Sequence, residues 1–160
     1  MKIIFLDFDG VLTSSKAYGV LDSEKMELLW KILEKTGASV VISSSWRLFD
    51  VESTKKYLVG EGDEYKNTSF RWLDKVVGVT PRPYVDDFIN YDEWNREEEI
   101  KRYLESHSEI EDYVILDDME DEFTDETVLN HLVKTTIKTG MTEDDAREVI
   151  RRLRSNAEFN

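Results

Sequence analysis

The sequence has no cysteine, only two prolines and two histidines, and far fewer basic than acidic residues. Zero cysteines exclude disulfides, Cys-ligated zinc, thiolate catalysis and iron–sulfur chemistry, so any nucleophile must be oxygen or nitrogen. His107 and His131 lack the spacing of a metal-binding pair and receive no role. The apolar stretch near the N-terminus runs only from Ile3 to Leu6, too short for a signal peptide or a membrane span. A soluble, cytoplasmic protein without membrane contact is expected. Lys and Arg total 21 against 35 Asp and Glu, a formal net charge of -14 that repels polyanions and argues against extended contact with a duplex. No G-x-x-x-x-G-K-[ST] phosphate loop occurs, so no kinase fused to this chain is expected. No Gly- or Ser-rich linker and no repeat divides it, and one domain over residues 1–160 is expected.

What is present is a globular composition, 40% apolar and 35% charged in 160 residues. Residues 2–8, KIIFLDF, read as a buried strand that breaks at Asp9-Gly10. Ser23 is placed to cap a helix with Met26, Leu29, Trp30 and Leu33 at helical spacing, stopped at Gly37. Val40 to Ile42 is a second strand, and strand–helix–strand in about 45 residues implies a right-handed crossover and parallel pairing. A short helix over residues 50–60, a turn at Trp72-Leu73 and an extended piece from Val76 to Val79 follow. Pro81 and Pro83 mark an exposed loop reaching to about Asn95. Arg96 to Ser106 carries Ile100, Tyr103 and Leu104 on one stripe, and Tyr113 to Leu116 is a further strand. Leu129 to Val133 reads as a last strand or a helix end. Thr142 with Asp145 forms a capping box ahead of a closing amphipathic helix.

Three strand-like runs end in polar clusters: Asp7-Phe8-Asp9-Gly10, Ser43-Ser44-Ser45 and Asp117-Asp118. In a parallel open sheet the C-terminal strand ends share one edge, where ligands bind. Asp7 and Asp9, two apart, would share a side if the strand continued, and like charges about 4 Å apart at an effective dielectric near 20 cost roughly 4 kcal/mol. A divalent cation reverses that sign, and an oxygen-only donor set favours magnesium over zinc. Such a site suits phosphoryl transfer, in which a carboxylate attacks phosphorus while positive charge neutralises the transition state. Alone, Asp7 and Asp9 also read as a turn or cap after a strand. The ten carboxylates between Glu109 and Glu126, unrelieved by Lys or Arg, read as a solvated face except where they flank a strand. Trp46-Arg47 stands where an indole and a guanidinium could grip a base or a second phosphate, with rim packing and a surface arginine as the plainer reading. Tyr18 is placed to line a substrate entrance, with an exposed loop tyrosine as the plainer reading, and Trp30, Trp72 and Trp94 read as core or patch residues.

FLDFDGVLT at 5–13, VVISSSW at 40–46 and YVILDD at 113–118 resemble the first, second and fourth signatures of the haloacid dehalogenase-like (HAD) hydrolase superfamily. The resemblance implies that Asp7 is the nucleophile and Asp9 the general acid and base. Ser43 would bind the phosphoryl group, and Asp117 and Asp118 would complete a magnesium site with Asp7 and the backbone carbonyl of Asp9. The third signature, a basic residue, falls on Arg96, with Lys101 one turn further as the alternative; both also read as solvent-facing helix charges. SSSWR, VVGVTPR at 76–82, R-x-x-x-I from Arg96 to Ile100 and KTGMT at 138–142 are similar to small HAD domains of multi-domain RNA-repair proteins.

The expected fold is therefore α/β, a three-layer α/β/α sandwich with a Rossmann-like, mostly parallel sheet and no large cap domain. The expected function is a magnesium-dependent phosphatase on a nucleotide or nucleic-acid terminal phosphate, with catalytic Asp7, Asp9, Ser43 and Arg96 and substrate contacts from Ser43, Ser44, Trp46 and Arg47. The alternative is a weakly active or idle phosphate-binding module acting through a protein partner. Composition and pattern fix no oligomeric state.

Overall fold

The computed structural model describes residues 1–85, 88–90 and 93–155. Its strands are β1 (Lys2–Leu6), β2 (Ser39–Ile42), β3 (Val76–Val79), β4 (Tyr84–Val85), β5 (Phe88–Ile89), β6 (Asp112–Asp117) and β7 (Leu132–Lys134). The helices are α1 (Ser23–Thr36), α2 (Val51–Val59), α3 (Arg96–Glu105), α4 (Glu126–Leu129) and α5 (Glu143–Ser155). Five strands form one sheet in the order β3-β2-β1-β6-β7, and every pairing in it is parallel.

Alternation along the strands splits the core into two layers, as period-2 side-chain geometry requires. Ile4, Leu6, Val40, Ile42, Val114 and Leu116 pack toward α1 and α5, where Met26, Leu29, Val149 and Leu153 are buried. Ile3, Phe5, Val41 and Ile115 pack toward Ile100 and Tyr103 of α3 and Val128 of α4. Each side chain removed from water in this way contributes roughly 1.5–3 kcal/mol. Because both faces of the central strands are covered, their interior residues are apolar, and the architecture is the expected three-layer α/β/α sandwich.

Local signals set the helix boundaries. Asp22, one residue before the expected Ser23, is the N-cap of α1, because its backbone is extended and its carboxylate accepts from the Glu24 N–H. Gly37 ends α1 in the left-handed conformation and donates its N–H to the Leu33 carbonyl. The capping box at α5 is present in both directions, with Thr142 N–H donating to Asp145 and Asp145 N–H to the Thr142 hydroxyl. The span expected as either strand or helix end contains both, α4 and then β7.

Two expectations need correction. β1 stops at Leu6, because the Phe8 carbonyl accepts N–H groups of Val11, Leu12 and Thr13 and turns the chain away from the sheet. Asp7 and Asp9 are thus not alternate residues of one strand. The segment after Pro81 is not a bare exposed loop: Pro83 is buried and β4 pairs antiparallel with β5. Residues 86–87 and 91–92 of that segment lie outside the described residues. No helix among the described residues is long and apolar enough to cross a membrane.

Candidate active site

The strand order reverses at β1, whose neighbours are β2 on one side and β6 on the other. Chains leaving such a switch point diverge and open a crevice at the carboxyl ends. Asp7 follows β1, Asp117 ends β6 and Ser43 follows β2. Backbone ladders continue just far enough to fix the first and third of these, since Asp7 donates its N–H to the Leu116 carbonyl and Ser43 donates to the Leu6 carbonyl, each at 3.0 Å.

Asp7, Asp117 and Asp118 bring one carboxylate oxygen each within 4.8 Å of one another. Asp7 is only 2% exposed and Asp117 is fully buried. Gly10 permits this approach: it sits at φ 76°, and a Cβ there would overlap the Asp118 carboxylate. The Gly10 turn is tied down by the Thr135 hydroxyl, which donates to the Gly10 carbonyl at 2.5 Å. The donor set is all hard oxygen with no sulfur or imidazole, which fits magnesium. The Asp9 side chain stands outside this trio and accepts the Trp46 indole N–H at 2.9 Å. Trp46 in turn sets its ring edge-on to Phe8, 5.5 Å between centroids.

Arg96 opens α3 and reaches the same carboxylates. Its Nη1 donates to Asp117 at 2.7 Å and pairs with Asp7 at 3.2 Å, with 13% of the side chain exposed. Lys101 lies elsewhere, ion-paired to Asp125 at the surface. Of the two candidate basic residues, only Arg96 meets the acidic cluster among the described contacts. Glu122 accepts the backbone N–H of Arg96, and Asn95 caps the helix through the Glu98 N–H, so the first turn of α3 is held at both sides.

Burial dominates the ionisation of this cluster. It pushes the Asp7 carboxyl up to about 7, with Arg96 opposing and Asp117 and Asp118 adding to the rise. Asp117 is raised for the same first reason, again opposed by Arg96. For Arg96, burial would lower the guanidinium pKa, but the charges of Asp7 and Asp117 outweigh it and hold the group protonated. A single arginine among three carboxylates leaves excess negative charge in a dry place, the condition that a divalent cation relieves.

The serine cluster splits in role. Among the described residues the Ser43 hydroxyl is buried without a hydrogen-bond partner, as is that of Thr80, which follows β3. An unmade bond of this kind costs roughly 1–3 kcal/mol, so two such hydroxyls after adjacent strands are a local anomaly. Ser44 accepts the Trp46 backbone N–H and shapes the turn. Arg47, expected beside the substrate, is 2% exposed and turned inward. Its Nε donates to Thr80, its Nη1 to the Ser43 and Ser44 carbonyls, and its Nη2 to Pro81 and Glu99. All five N–H groups are engaged within the protein, so it ties the loops after β2 and β3 to α3.

Glu99 and Thr80 were not singled out in the sequence, although they lie within the R-x-x-x-I and VVGVTPR stretches. A crevice of about 170 Å³ opens beside Arg96, with Ser45, Arg82, Trp94 and Met119 among its walls. Tyr18 is 78% exposed in the loop after β1.

The family model of the HAD domain in Swiss Army Knife RNA repair proteins matches residues 3–146. Searches of curated proteins and of solved structures each found no match.

Proposed function

Because the chain belongs to the HAD domains of Swiss Army Knife RNA repair proteins, we propose that it is a magnesium-dependent phosphatase that hydrolyses a phosphomonoester through phospho-Asp7. The observation that carries this reading is the convergence of Asp7, Asp117 and Asp118 with Arg96 at the switch point of the sheet. Magnesium held by Asp7, Asp117, Asp118 and the backbone carbonyl of Asp9 would supply positive charge that keeps Asp7 ionised and neutralises phosphoryl oxygens.

The residues of the chain then act in order. An Asp7 carboxylate oxygen attacks phosphorus as the bond to the leaving oxygen breaks, and Asp9 gives its proton to that oxygen. Asp9, oriented by the Trp46 indole, next takes a proton from water. That water attacks phosphorus, the bond to Asp7 breaks and inorganic phosphate leaves. Arg96 and the Ser43 hydroxyl clamp the other phosphoryl oxygens, with Ser44 and Trp46 shaping the turn beneath them. Arg47 acts from behind, by positioning the serine loop.

The name of the family and the open crevice support a nucleotide or a nucleic-acid terminal phosphate as substrate, with extended duplex contact opposed by the charge of -14. A magnesium-dependent screen of small phosphomonoesters, nucleoside monophosphates and oligonucleotides bearing 3′- or 5′-phosphates tests it. Turnover that stops with EDTA supports the proposal. Phosphate binding without turnover of any of these substrates would favour an idle module working through a partner.

A further inference from the structure

Beyond the crevice at Arg96 lies a second groove of about 450 Å³, a volume within the roughly 300–1,000 Å³ of small-ligand sites. Its walls include Phe49, Pro81, Arg82, Tyr84, Arg102 and His107. Phe49 and Tyr84 stack face to face, 5.5 Å between centroids at an interplanar angle of 17°. They do so in the open: Phe49 is 75% and Tyr84 43% exposed. An exposed pair of stacked rings leaves apolar π-faces in water, and its outer face matches a nucleobase in shape and chemistry.

Charge points the same way. In a chain with 35 carboxylates, the described residues lining this groove include no Asp or Glu but two arginines. Arg82 is held by the Arg47 and Ser45 carbonyls at 2.6 and 2.5 Å, so its guanidinium is fixed by neutral acceptors. Arg82 also lines the crevice beside Arg96, so the two depressions share that side chain as a wall. Arg102 is paired with Glu98 at 3.0 Å and covers the Trp94 ring at 4.0 Å, which leaves Arg82 as the groove arginine held by neutral acceptors. Arg47, the guanidinium that the sequence offered beside Trp46, is buried, and the rings and guanidiniums of this groove come from Phe49, Tyr84, Arg82 and Arg102.

We infer that the Phe49–Tyr84 groove stacks the bases adjoining a terminal phosphate, so that the substrate is the end of a single-stranded polynucleotide rather than a free phosphoester. This rests on the proposed phosphatase site for the position of the phosphate, with Arg82 bridging the two by contact with the intervening backbone phosphate. A duplex end is disfavoured because its bases are already stacked on each other.

Equilibrium binding by fluorescence anisotropy tests the inference without requiring turnover. The probes are terminally phosphorylated single-stranded oligonucleotides, ribo and deoxy, each compared with a version abasic at its two terminal positions. The protein is an Asp9→Asn chain with magnesium present. The intact oligonucleotide should bind about ten- to hundredfold tighter than the abasic one, the range set by stacking of one or two bases. Phe49→Ala with Tyr84→Ala should bring that ratio close to one, while Tyr84→Trp retains it; both side chains are exposed, and circular dichroism confirms folding. The tighter of the ribo and deoxy arms identifies the polymer. Equal binding of intact and abasic strands, or a preference that survives the double substitution, overturns the inference. If base preference is present but no phosphomonoester is hydrolysed by the wild-type chain, the groove stands and the phosphatase reading falls; the reverse pattern removes only the groove.

Discussion

Removing Arg96 should damage stability and turnover together, and the size of each effect follows from its surroundings. Its side chain is 13% exposed and meets the side chains of Asp7 and Asp117, which are themselves 3% and 0% exposed. Deleting one partner of a buried ion pair costs about 3–5 kcal/mol, because the remaining charge is left uncompensated. In a chain of this length each kcal/mol shifts the melting temperature by roughly 2–4 °C. Arg96→Ala should therefore melt roughly 6–20 °C below wild type in EDTA, by differential scanning calorimetry. The deficit should grow from pH 6 to pH 8, since at the lower pH Asp7 can shed its charge by taking a proton. Magnesium should recover more stability in the variant than in wild type, having more unbalanced charge to neutralise. Turnover should fall about 10²-fold or more, as when one transition-state donor is lost. Lys101→Ala, which removes a surface pair with Asp125, should change neither property appreciably. If Arg96→Ala melted like wild type at pH 8 in EDTA, the bridge between Asp7 and Asp117 would not exist in solution, and the electrostatic reasoning would fail.

Asp7→Asn should abolish turnover with the fold intact, and Asp9→Asn should lose roughly 10²-fold or more, both read from steady-state rates and circular dichroism. The metal-free protein should lose stability as pH rises. Asp7 sits at about 7 when folded against an ordinary 3.8, so the folded state binds the extra proton between these values and its advantage disappears as the pH passes about 7. Urea midpoints in EDTA that rise from pH 4 to pH 7 would contradict this. Gly10→Ala should lower the melting temperature and weaken its response to magnesium, because the new Cβ displaces Asp118 and the φ of 76° is strained for alanine. A variant with wild-type melting and metal response would show that Asp118 is not held against that turn.

Much of the fold was legible because each central strand is an apolar run closed by polar residues. KIIFL and VVI signal buried parallel strands, and the helix between them carries its own stop at Gly37. The convergence of Asp7 with Asp117 followed from the rule that parallel strands end on one edge. What the sequence could not show depends on contacts between distant segments. That Asp22, and not Ser23, caps α1 turns on one backbone angle. That Arg47 points inward is set by carbonyls of Thr80 and Pro81 on another loop. The placement of Arg96 over Lys101 needed the entry angle of α3, which the Glu122 contact to the Arg96 N–H helps to set. The paired rings of Phe49 and Tyr84 are 35 residues apart in sequence, so no local pattern announces them.

In the proposed reaction Asp7 carries the phosphoryl group. The chain should be incubated with a reactive phosphomonoester and magnesium, quenched in acid during turnover, digested and analysed by mass spectrometry. A phosphoryl adduct on the peptide containing Asp7, labile to hydroxylamine and missing in Asp7→Asn, is the predicted result. Turnover accompanied by an adduct on any other residue would contradict the account.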